Sequence, residues 1–331
     1  MKAAAVQFFA TPFDLNHNLE TAERLIRQAA GQGAQLAVLP ELFNTGYVYT
    51  PRLFAFAEQA DGLTLRWLTR LSADLRLLIG GTLLIRAGAD VFNTFVLAEP
   101  SGRVHQYRKQ HPFVWEQCFF AAGGGPVIAS TELGRLGLMV CWDIAHRPVW
   151  EQYRGRVDLL LLASSPPRLH RAVLNFPQGR RTYLAELMPR LLREREAIDR
   201  WYGEALAVRA AWLGAPIVHG VMAGRFVAEL PFPRLSFLGM TLARPRYWPL
   251  VPRAHLAGLR ATFYGTSAVY GADGQTLARV SDEQGVALAE TGPARAASLA
   301  WDESALRVPG ALRLMERLFA PVGRSYYRHN R

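Results

Sequence analysis

Lysine is nearly missing from this chain of 331 residues. Of its 38 basic residues only Lys2 and Lys109 are lysines, and the remaining 36 are arginines. A chain that writes almost every cation as a planar guanidinium yet keeps a compact ammonium at position 109 marks that position for inspection. Cysteine is also scarce: Cys118 and Cys141 are too few for a disulfide framework, which suits a reducing cytoplasm. No apolar run approaches the ~18 residues of a membrane span. The first residues, Met1 to Phe9, read as a strand and lack the charged head and long apolar centre of a secretion signal. Ser/Gly linkers, composition breaks and internal repeats are missing too, so a chain that is 50% hydrophobic reads as one large domain with insertions.

The formal net charge of +11 raises the question of a polyanionic partner, because clustered cations bind polyanions by releasing counterions. Here the arginines are scattered and no nucleic-acid motif accompanies them, so no nucleic-acid partner is expected. No His/Asp spacing suggests a metal site.

What the chain does have is a set of apolar runs that end on reactive side chains. Arg135-Leu-Gly-Leu-Met-Val-Cys141-Trp142-Asp143 reads as a buried strand delivering a thiol to a loop. Leu36-Ala-Val-Leu-Pro-Glu41 delivers a carboxylate, and the strand pair closing at Tyr107-Arg-Lys109 delivers the ammonium. A thiol is a good nucleophile only as thiolate and needs a base or cation beside it. Glu41 has the chemistry of a base that takes that proton and later activates water. Lys109 can stabilise an oxyanion, together with the backbone N–H of Trp142. Alone, each residue is as readily an inert core thiol, a loop acid or a solvated amine; three such groups at three strand exits make a site.

Strands are expected at 2–9, 34–39, 77–85, 92–98, 103–108, 127–131, 135–141, 157–163, 216–221, 265–271, 276–280 and 286–290, and helices at 19–30, capped by Asn16 or Asn18, and 62–75. Early helix–strand alternation followed by paired strands implies an α/β layered fold. Two stretches, about 165–212 and 225–262, interrupt this order as insertions. The first carries a long helical pattern from Arg181 to Trp212 with a kink at Pro189. The second mixes Phe226, Phe232, Phe237, Tyr247 and Trp248 with six arginines, the composition of a lid for a bulky or acidic substrate, or more weakly of contact with anionic lipid.

The motifs Leu39-Pro-Glu41-Leu-Phe-Asn-Thr-Gly-Tyr47, Tyr107-Arg-Lys109-Gln-His-Pro-Phe113 and Gly137-Leu-Met-Val-Cys141-Trp-Asp143, with Gly80-Gly81, Phe92-Asn93-Thr94 and Phe263-Tyr-Gly265-Thr-Ser267 in support, resemble the nitrilase, or carbon–nitrogen hydrolase, superfamily over roughly residues 1–290. The resemblance implies a four-layer αββα sandwich that pairs with a second copy, a thioester intermediate, and no metal or cofactor. By position it makes Glu41 the general base, Lys109 the oxyanion stabiliser and Cys141 the nucleophile, with Glu116 as the additional glutamate beside the lysine. Residues 1–292 form the hydrolase domain on this reading, and 293–331 a C-terminal extension that contacts the partner of a homodimer.

Where the family commonly follows Cys-x-Asp with Arg-aromatic-Pro, this chain has Ile144-Ala-His146-Arg147-Pro148, one residue longer, and Asp143 stands where nitrilases proper usually have Glu. Tyr47, Trp142, Asp143, His146 and His219 are candidates for the pocket wall or oxyanion contacts; for the histidines a satisfied core position is the plain alternative. The expected activity is hydrolysis of a small non-peptide amide. N-acyl transfer and nitrile hydrolysis are the alternatives in chemistry, and a non-catalytic binding protein is the alternative in class, against which the intact trio argues.

Overall fold

The computed structural model describes residues 1–189, 192, 197–297 and 299–331. The strands are β1 (Lys2–Phe8), β2 (Leu36–Val38), β3 (Leu78–Ala87), β4 (Asp90–Ala98), β5 (Val104–Arg108), β6 (Ile128–Thr131), β7 (Gly134–Val140) and β8 (Leu159–Ser164). They continue with β9 (Val173–Asn175), β10 (Arg181–Tyr183), β11 (Ile217–Met222), β12 (Arg225–Glu229), β13 (Gly258–Thr262), β14 (Thr266–Tyr270), β15 (Thr276–Ser281) and β16 (Gly285–Glu290). The helices are α1 (Leu15–Gly31), α2 (Leu63–Leu75), α3 (Arg147–Glu151), α4 (Leu184–Leu187), α5 (Ala197–Tyr202), α6 (Glu204–Leu213), α7 (Pro233–Thr241) and α8 (Gly310–Asn330).

Strand β1 shows why the fold is layered. Its side chains alternate, so Ala3 and Ala5 enter one core while Ala4, Val6 and Phe8 enter another. The second core is closed by the apolar faces of α1 and α2, through Leu25, Ile26, Leu68 and Leu71. This is the α/β sandwich expected. Its hydrogen bonding joins twelve strands in the order β5-β4-β3-β2-β1-β11-β8-β7-β6, with β14, β15 and β16 branching from β11 and β1. The parallel run β3-β2-β1-β11-β8-β7 sends the ends of β2, β8 and β7 to the same edge. In open α/β sheets that carboxyl edge is where ligands bind.

Three local expectations are corrected. Asp14 caps α1, accepting from the N–H of His17 at 3.1 Å. The helix starts a turn earlier than its apolar face suggests, and Asn18 is buried, its amide donating to the carbonyls of Thr11 and Asn44. The continuous helix from Arg181 does not form: Arg181–Tyr183 pairs antiparallel with β9, its residues alternating exposed, buried, exposed. Helices α5 and α6 part at Gly203, whose Cβ, if present, would lie 2.6 Å from the carbonyl of Asp199. Pro189 itself follows α4, and residues 190, 191 and 193–196 lie outside the described residues.

The segment 225–262, expected as an insertion outside the strand order, has strands β12 and β13 at its two ends, which join β9 and β10 in a second sheet of order β10-β9-β13-β12. The two segments are therefore one structure. It lies over the loop after Glu41: Phe226 packs on Tyr47 and Tyr49, and the N–H of Glu229 donates to the carbonyl of Tyr49. Five of the six arginines, at 225, 234, 246, 253 and 260, face solvent.

The C-terminal residues dock on their own chain. Arg209 stacks its guanidinium 3.4 Å from the ring of Trp301, and the hydroxyl of Tyr327 accepts from the N–H of Val91 at 2.7 Å. Among the described residues no helix is long and apolar enough to cross a membrane.

Candidate active site

Glu41 leaves the end of β2, Lys109 the end of β5 and Cys141 the end of β7, and all three are buried, the first two completely. The Lys109 ammonium donates to Glu41 Oε1 and to Glu116 Oε1, each at 2.8 Å. Glu41 is further fixed by Asn93 Nδ2 at 2.8 Å on Oε1 and by the N–H of Ser165 at 3.0 Å on Oε2. Glu116 accepts from the Tyr47 hydroxyl and from the N–H of Phe113. Two carboxylates on one ammonium leave the lysine with no freedom to turn, which is what a preorganised oxyanion contact requires.

The backbone is strained where the chemistry falls. Cys141 has φ of 42° and Leu42, next to Glu41, has φ of 50°, the left-handed region that side chains other than Gly, Asn and Asp seldom occupy. Such a turn lets the thiol leave the strand sideways into the site. Asp143 holds it: Oδ2 accepts from the N–H of Val140 at 3.2 Å and from the Tyr107 hydroxyl at 2.7 Å, and Oδ1 accepts from the N–H of His111 at 2.9 Å. Both carboxylate oxygens thus tie the cysteine turn to the lysine loop. Asp143 is a scaffold residue in this structure, not a wall of the pocket.

The electrostatics follow from burial. Burial and the charge of Glu41 push the Cys141 thiol well above its usual range, against the pull of Lys109 and of a hydrogen bond from Tyr202. Burial alone would pull Lys109 down, but Glu116 and Glu41 outweigh it and hold the ammonium charged. Burial raises Glu116 to about 7 despite Lys109, and raises Asp143 to about 6. The resting site is a thiol, a fixed ammonium and a carboxyl poised near neutrality, so the sulfur must be deprotonated as it attacks.

The other candidates separate. Tyr47 joins the site through Glu116. The Trp142 side chain points away from it, donating from Nε1 to Glu316 on α8 at 2.6 Å. His146 stacks on His111 at 3.6 Å between ring centroids, outside the cluster, and burial pushes it down to about 3. His219 is sealed behind Tyr202, stacked at 5.9 Å, and burial alone takes it to about 3.

Sequence reasoning missed Tyr202, whose hydroxyl lies 3.2 Å from the Cys141 sulfur; it comes from α5, sixty-one residues downstream, and no spacing could announce it. Asn93 was visible in its motif, but neither it nor Ser165 was legible as a partner of Glu41. Among the described residues no group of His, Cys, Asp and Glu is arranged to hold a metal.

The family model for carbon-nitrogen hydrolases matches residues 2–188, and the chain belongs to that family. It is 35% identical over 147 residues to a nitrilase of Pyrococcus abyssi, an alignment covering 43% of this chain and 56% of that protein. It is 31% identical over 144 residues to the omega-amidase YafV of Escherichia coli K12, covering 43% and 55%. The chain thus spans a little over half the length of these curated relatives. Among solved structures, the amidase of Nesterenkonia sp. AN1 with acrylamide added to its active-site cysteine superposes with a TM-score of 0.64 at 20% identity, over 88% of this chain and 92% of that one. A CN-hydrolase superfamily protein of Xanthomonas campestris, with an arsenic adduct in its active site, gives 0.61 at 21% identity over 98% and 96%. These likenesses establish the fold.

Proposed function

We propose that the protein hydrolyses a small non-peptide amide by acylating Cys141. The observation that carries this is the Lys109 ammonium clamped at 2.8 Å by both Glu41 and Glu116, within electrostatic reach of the Cys141 sulfur. Glu41 accepts the thiol proton as sulfur attacks the amide carbon, and the oxyanion forms against Lys109 and the N–H of Trp142. Collapse of that intermediate expels the amine, which takes the proton back from Glu41. Water, deprotonated by Glu41, then attacks the thioester and regenerates the thiol. Glu116 fixes the ammonium and sets the charge of the cluster. The amidase and omega-amidase names of relatives support amide over nitrile, and Asp143 after Trp142 agrees with that.

Mass spectrometry of the protein quenched during turnover of a simple amide should show the acyl mass on Cys141, with ammonia and the free acid as products. Retention of the acyl group on added amines instead would make the protein a transferase; an unmodified Cys141 with no product would remove the proposal.

We also infer a homodimer. Leu314 and Leu318 on the outer face of α8 are 57% and 67% exposed, an apolar stripe that a second copy would cover. Light scattering should give twice the chain mass, and Leu318→Glu should shift it to the monomer. The unpaired thiols of Cys118 and Cys141 suit the cytoplasm.

A further inference from the structure

We propose that Tyr49, which touches none of the trio, is a positioning residue that sets the charge of Glu116 by a hydrogen-bonded relay through Tyr47. The inference rests on the amide-hydrolase reading for what that charge does, since Glu116 fixes Lys109 there.

The relay has one direction. The Tyr47 hydroxyl has a single proton and donates it to Glu116 Oε1, so in its 3.0 Å contact with the Tyr49 hydroxyl it accepts. Tyr47 is the one hydrogen-bond partner of the Tyr49 hydroxyl among the described residues. Donation from Tyr49 polarises the Tyr47 O–H and strengthens the bond that Tyr47 makes to Glu116, because chained hydrogen bonds reinforce one another in a buried, low-dielectric site. A stronger bond to a carboxylate favours its charged form. Tyr47 pulls the Glu116 carboxyl down against burial, and burial keeps both phenols protonated, so both remain donors.

The added sheet fixes where the Tyr49 hydroxyl goes. Its ring lies parallel to Phe119 at 5.8 Å between centroids, with Trp115 edge-on at 5.9 Å and Phe226 of β12 edge-on at 5.5 Å. The N–H of Glu229, on the same strand as Phe226, donates to the Tyr49 carbonyl at 3.2 Å. Trp115 belongs to the turn Val114–Cys118, which carries Glu116, and Phe119 ends it. Both ends of the relay are thus held in one aromatic cluster. The other ionisable groups that face Glu116 are Lys109, Glu41, Cys141 and Tyr202. Helix α8 packs on the same turn but directs Glu316 to Trp142.

The test is the protonation of Glu116 itself, followed by infrared difference titration of its carboxyl stretch, which is assigned by its loss in Glu116→Gln. The wild-type midpoint should lie at about 7. Tyr49→Phe keeps the ring contacts and deletes the donor; it should raise the midpoint by about half a pH unit. Tyr47→Phe, which removes the bond to Glu116, should raise it by about one. The double variant should match Tyr47→Phe, because Tyr49 reaches Glu116 through Tyr47. The inflection in the pH profile of amide turnover should move by the same amounts. An unmoved midpoint in Tyr49→Phe, or an undiminished shift from Tyr49→Phe in the Tyr47→Phe background, would overturn the relay. The expected midpoint shifts in a protein that turns over no amide would support the relay and remove the hydrolase reading; turnover with an unmoved midpoint would do the reverse.

Discussion

The Tyr202 hydroxyl sits 3.2 Å from the sulfur of Cys141, so a residue from outside the strand framework is the hydrogen-bond partner of the thiol. A donated hydrogen bond favours the thiolate, and Tyr202 pulls the Cys141 pKa down against burial and Glu41. Tyr202→Phe keeps the ring on His219 and deletes the donor. The pH at which iodoacetamide alkylates Cys141 at half its maximal rate, followed by mass spectrometry, should move upward. An unchanged profile would mean the contact does not reach the sulfur in solution.

Cys141→Ala should abolish amide turnover with the fold retained, because the turn is held by Asp143 rather than by the thiol. Lys109→Arg should cost on the order of 10²–10³ in kcat, the usual loss for an oxyanion contact. A planar fork cannot occupy a fully buried point between two carboxylates. Ammonia release, with circular dichroism as the control for folding, measures both; full activity in either variant removes its assigned role.

Glu116 is raised to about 7 by burial, so a cluster of two carboxyls and one ammonium changes charge near neutral pH. The wild-type rate should show an inflection in that region, belonging to the coupled cluster, and Glu116→Gln should lack it. Removing the negative charge also lowers the Cys141 pKa, since Glu116 is one of the groups that raise it. Alkylation of Cys141 in Glu116→Gln should therefore reach half-maximum at lower pH, the opposite shift to Tyr202→Phe. Parallel shifts in the two variants would contradict this account.

His219 is neutral in the folded protein, with its pKa lowered by burial from 6.5 to about 3. Between those values the unfolded chain binds a proton that the native state does not, so stability rises with pH through this window and the full contribution is present above 6.5. The slope from one such group is at most ~1.4 kcal/mol per pH unit. His219→Phe keeps a ring against Tyr202 and should show a shallower loss of stability than the wild type between pH 4 and 6, measured by urea unfolding. Equal slopes would place a proton on His219 in the native state.

The chain itself determined the trio and the layers. Apolar runs ending at Glu41 and Cys141 were legible because a strand buried on both faces is written as a continuous hydrophobic run, and the polar residue that stops it falls at the sheet edge, whereas β5 is polar and only partly buried and Lys109 stood out by the rarity of lysine. The alternation within β1 and the apolar faces of α1 and α2 likewise set the layers from local periodicity. Tertiary structure decided the rest. Asp143 became a tie between two loops, and Tyr202 and His219 came together behind the thiol, because contacts between residues distant in sequence leave no spacing to read. The same holds for β9, β10, β12 and β13: each is at most five residues long, too short to outweigh the helical and Arg-aromatic composition around it. They become strands only by pairing with one another across two separate segments, and that pairing also builds the wall over the site.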